Sequence, residues 1–67
     1  MKELNLEWTS ADNQHCFAYY MTIIKENRRY IYADAIGYIY KLAKKTRMVY
    51  INDRPQGVAT NVFIITR

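Results

Sequence analysis

Seven tyrosines, Tyr19, Tyr20, Tyr30, Tyr32, Tyr38, Tyr40 and Tyr50, stand in a chain of only 67 residues. A chain this short buries a small core, so several of these rings must fill it beside Leu4, Leu6, Trp8, Phe17, Ile39 and Phe63. The rings left outside are suited to contact, because tyrosine joins a large rigid apolar surface to a hydroxyl that tolerates water. The single cysteine, Cys16, permits no internal disulfide, so stability must come from aromatic packing or from a partner subunit. A homo-oligomer is therefore expected.

Leu4, Leu6 and Trp8 alternate with Glu3, Asn5 and Glu7, the period-two pattern of a half-buried strand. The polar stretch Thr9 to Gln14 reads as a turn or a helix start, since its side chains compete for local backbone partners. Residues His15 to Ile24 fit a helical stripe through Cys16, Phe17, Tyr20, Met21 and Ile24. Their β-branched and aromatic content favours a strand with both faces apolar. Lys25 to Arg28 then forms a turn, with a return strand from Arg29 to Ala33.

Asp34 is placed to cap a helix in which Ala35, Ile36, Ile39, Tyr40 and Ala43 recur at helical spacing, with Lys44 and Lys45 in its last turn. Gly37 is a defect in that helix, costing about 0.5 to 1 kcal/mol. Met48 to Ile51 reads as a short strand, Asn52 to Gly57 as a turn, and Val58 to Thr66 as a terminal strand. The sum predicts one compact binding domain over residues 1 to 67 of class α+β: a small curved antiparallel or mixed sheet of four to five strands with one principal helix. If Ile36 to Leu42 is instead another strand, the alternative is a small all-β barrel.

Catalytic and metal chemistry find little support. His15 and Cys16 are neighbours whose side chains diverge in either a strand or a helix, which disfavours a nucleophile-base pair. They are also the only Cys or His residues, too few for a structural zinc site. Glu3, Glu7, Asp12, Glu26, Asp34 and Asp53 follow no cation-binding spacing, and no glycine-rich phosphate loop is present. No enzyme activity, metal or cofactor is expected.

Charge is more informative. Of the formal net charge of +4, residues 1 to 34 contribute four cations and five anions, and residues 35 to 67 six cations and one anion. Tyr38, Lys41, Lys44 and Lys45 on the expected helix, with Arg47 after it, form a candidate phosphate-contact surface, although lysines also cover ordinary solvated helix faces. Arg28, Arg29 and Arg54 add cations at expected turns. Tyr30 and Tyr32 share one strand face with Arg28, as a stacking platform or a protein anchor would. Asn27 and Asn52 are chemically able to read bases, but turn formation explains both.

These features lead to the expectation of a small non-enzymatic regulatory protein that contacts nucleic-acid phosphate through Arg28, Arg29, Lys41, Lys44, Lys45, Arg47 and Arg54. One alternative is an inhibitor or adaptor that meets an acidic protein surface through Tyr30, Tyr32 and Tyr38 with a basic rim. Another is a structural subunit of a homo-oligomeric assembly that completes a larger sheet through Val62 to Ile65 or the opposite sheet edge. No apolar run approaches the roughly 18 to 20 residues that cross a bilayer, and the N-terminus Met1 to Leu4 lacks the apolar core of a signal peptide. A cytoplasmic location without membrane association is expected.

Overall fold

The computed structural model describes all residues from Met1 to Arg67. Six strands, β1 (Lys2–Ser10), β2 (His15–Glu26), β3 (Tyr30–Ala35), β4 (Tyr38–Ala43), β5 (Met48–Ile51) and β6 (Arg54–Thr66), follow one another along the chain. Each pairs antiparallel with the next, and β6 returns to β1, giving a closed barrel in the order β1-β2-β3-β4-β5-β6.

The α+β expectation is thereby corrected: the chain is all-β, and the segment expected to be the principal helix is a hairpin. Ile36 and Gly37 have φ of 48° and 86°, and Ala35 pairs with Tyr38 across them. Positive φ at both central residues gives the two-residue turn whose twist matches that of a hairpin. Gly37 is thus the turn residue rather than a helix defect. The stripe from Ala35 to Ala43 matched helical spacing by coincidence, while Tyr38, Ile39 and Tyr40 carry the aromatic and β-branched preference of a strand. The alternative all-β barrel fits the structure.

The alternation of β1 sends Leu4, Leu6 and Trp8 into the barrel, where they meet Met21, Ile31, Ala33, Leu42, Val49 and Ala59. Tyr40 is the tyrosine that packs against this core, its ring edge-on to Trp8 with centroids 6.0 Å apart. Phe17, Ile39 and Phe63, expected inside, are exposed instead. Their strands place them on the outer face: Phe17 pairs with Glu7, Ile39 with Asp34 and Phe63 with Asn5.

Register breaks interrupt both long strands. Tyr19 and Tyr20 of β2 face the single residue Asn5 of β1, and Thr60 is an extra residue in β6 between Ala59 and Asn61. At Gly57, β6 changes partner, pairing with both Val49 and Ser10. A Cβ there would lie 1.9 Å from the Thr9 carbonyl oxygen, so only glycine lets the strands approach this closely.

Candidate functional site

Because opposite residues of an antiparallel pair share a sheet face, the register predicts what lies beside what on the outside of the barrel. Lys25 of β2 pairs with Tyr32 of β3, Tyr32 with Lys41 of β4, and Lys41 with Tyr50 of β5. A row of alternating cations and aromatic rings therefore crosses four strands, with Tyr30 beside it on β3. The Lys41 Nζ lies 4.6 Å from the centre of the Tyr50 ring and 5.0 Å from that of Tyr30. The Lys25 Nζ lies 5.6 Å from the centre of the Tyr32 ring, and the Tyr30 and Tyr32 rings are 6.0 Å apart.

One end of the row opens into a depression lined by Arg28, Arg29, Tyr30, Lys44, Lys45 and Tyr50. Two turns are held together there. The Asn27 Oδ1 accepts hydrogen bonds from the backbone N–H groups of Arg29 and Tyr30 at 2.9 and 2.8 Å, fixing the β2-β3 turn as an Asx turn. The Lys44 N–H then donates to the Arg29 carbonyl at 2.8 Å, tying the β4-β5 turn alongside it. Lys44 also donates through Nζ to Glu26 Oε2 at 2.8 Å, and this bond, with the lysine's charge, holds the Glu26 carboxyl below its ordinary range. Lys41 has a looser acidic neighbour in the exposed Asp53, 3.8 Å away.

The site regroups the cations expected from the sequence. Arg28, Arg29, Lys44 and Lys45 share the depression, and Lys41 stands in the row beside it. They do so from adjacent turns and strands, not from one helix face. Arg47 turns away, its Nε donating to the Ala59 carbonyl at 3.5 Å. Arg54 lies at the other end of the barrel, in a shallow depression with Tyr38, Ile51, Asn52 and Gln56. Tyr38, opposite Ala35, has the inward parity of Tyr40 but sits exposed at the rim, apart from Tyr30 and Tyr32. Asn52 forms the β5-β6 turn, its Oδ1 accepting from the Ile39 N–H at 2.9 Å.

Lys25 and Tyr50 were missed as site residues. The signal for Tyr50 was available once Ile36-Gly37 is read as a hairpin turn, since strand alternation then places Tyr30, Tyr32, Lys41 and Tyr50 on one face. Lys25 is harder to find, because the irregularity in β2 between Ile23 and Lys25 decides its side. Cys16 is half-buried against the core and His15 is exposed. No three His, Cys, Asp or Glu side chains come together, and no helix is long and apolar enough to cross a membrane.

No protein family, characterised protein or solved structure matches this chain. The chemistry of the site is therefore read from its own geometry.

Proposed function

We propose that this barrel binds single-stranded nucleic acid across the outer face of β2 to β5, bases on Tyr30, Tyr32 and Tyr50 and phosphates on Lys25, Lys41 and the basic depression. The observation that carries this reading is the registered row Lys25-Tyr32-Lys41-Tyr50 running into Arg28, Arg29, Lys44 and Lys45. A ligand that alternates planar bases with anions is the complement of such a row.

Magnitudes support the exchange. An exposed lysine-ring contact contributes about 0.5 to 1 kcal/mol, whereas a base stacked on an aromatic side chain contributes about 1 to 3 kcal/mol. A base can thus displace the ammonium from a ring, and the released ammonium gains a phosphate. The exposed Lys44-Glu26 pair, by its class, is worth at most about 1 kcal/mol and yields to the same competitor. An acidic protein surface would use the cations but leave the rings without planar partners, which ranks it second.

The test is fluorescence anisotropy with a labelled oligothymidine of about 15 nucleotides at roughly 50 and 200 mM salt. Binding is expected at the lower salt and should weaken steeply at the higher. Tyr32→Ala should cost about tenfold at both concentrations through lost stacking. Lys45→Gln should weaken binding and reduce the salt slope by about 0.7. No binding at the lower salt, or binding indifferent to both substitutions, overturns the assignment.

A further inference from the structure

β6 pairs with β5 only over Arg54 to Val58, and from Gly57 to Thr66 its partner is β1. Past Ala59, whose N–H donates to the Arg47 carbonyl at 2.7 Å, the edge of β6 turned away from β1 has no strand beside it. Apart from a bulge at its start, this edge lacks the features that keep exposed strands from pairing. The segment Val58-Ala-Thr-Asn-Val-Phe-Ile-Ile-Thr66 has no charged residue and no proline, and its bulge at Thr60 leaves Asn61 to Thr66 in regular register with β1. The strand is also apolar and exposed on both faces: Phe63 is 57% exposed on the outside and Ile64, on the Leu4 side, 45%.

We infer that β6 is a dimerisation edge, covered by β6 of a second copy running antiparallel about a two-fold axis near Phe63. The second copy fits by its chemistry. An uncharged strand meets an identical uncharged strand without like-charge opposition, and a two-fold at Phe63 sets Phe63 beside Phe63 and Val62 beside Ile64 on shared faces. The partner strand also satisfies the open backbone groups, extending β2-β1-β6 into a six-stranded sheet across the dimer. β2 has an open edge too, since β3 covers only Thr22 to Glu26. That edge is interrupted by the Tyr19-Tyr20 bulge, where Tyr20 has a φ of 59°, a twist that spoils pairing. The β6 contact is thus isologous and closes at two subunits.

Sedimentation equilibrium of the full chain from about 1 to about 200 µM should show a reversible dimer, twice the 8.0 kDa of one chain. Phe63→Lys places two ammonium groups on the axis and should weaken dimerisation by at least about tenfold, with Trp8 fluorescence unchanged to show an intact barrel. In a Cys16→Ser background, Phe63→Cys should form a covalent dimer under oxidised glutathione, and Tyr20→Cys should not. A monomer across the range, a dimer indifferent to Phe63→Lys, cross-linking through Tyr20→Cys instead, or assemblies that grow beyond two subunits would each overturn the inference.

Discussion

Single residues in the basic depression are tuned by one carboxylate. Glu26 is held ionised below its ordinary range by the Lys44 Nζ, so whatever this pair adds to stability is present above the unfolded carboxylate value of about 4.3. It is lost as pH falls through the lower folded value. Glu26→Gln should remove that acid dependence, seen as a smaller loss of urea stability between about pH 5 and pH 3 than in the parent. The same substitution frees Lys44, so affinity for the oligothymidine should rise roughly two- to threefold and the salt slope steepen. On the other side of the barrel, Glu7 accepts hydrogen bonds from the Tyr19 hydroxyl and Asn61 Nδ2, which lower its carboxyl and raise the Tyr19 phenol. At this scale the sequence was readable for residue type and less so for company: Arg28, Arg29, Lys44 and Lys45 belong together, while Arg47 and Arg54 do not. Lysine and arginine identify a cation, but the partners of its neighbouring turn decide where it points.

Among the elements, the strands announced by strict alternation were the readable ones. β1 shows its inward Leu4, Leu6 and Trp8 directly, and the β-rich composition of His15 to Ile24 prevails over its helical stripe. The hairpin of β3 and β4 was hidden because its turn begins with Ile36, a β-branched residue at positive φ and 97% exposed. Such a residue is strained in the left-handed region and carries no turn signal. Ile36→Asn should therefore stabilise the barrel by about 1 kcal/mol, measured by urea denaturation, because asparagine accepts this conformation. Gly57→Ala should act in the opposite sense, costing about 3 kcal/mol, as the added methyl is driven into the Thr9 carbonyl where β6 leaves β5 for β1. The bulges at Tyr19-Tyr20 and Thr60 have no local sequence mark, and they shift side-chain parity along β2 and β6. With those shifts Phe17 and Phe63, expected to help fill a small core, fall on the outer face.

For the whole molecule, the small core leaves little reserve. Leu6 is fully buried, and Leu6→Ala should cost about 2 to 5 kcal/mol, a large share of the stability of a domain this size. Thermal unfolding followed by Trp8 fluorescence should show the loss as a markedly lower midpoint. If β6 joins two barrels, the parent midpoint should also rise with protein concentration, and that of Phe63→Lys should not. A small all-β barrel was within reach of the sequence as an alternative; the pair that closes it was not, because no local pattern encodes the pairing of the first strand with the last.

That closure also governs when the fold can exist. β1 is flanked by β2 and by Gly57 to Thr66 of β6, so a chain in which β1 to β5 have already paired still lacks one wall around Leu4, Leu6 and Trp8. The core stays wet until β6 pairs with β1, and the barrel closes in one cooperative event, at the slow pace of contacts distant in sequence.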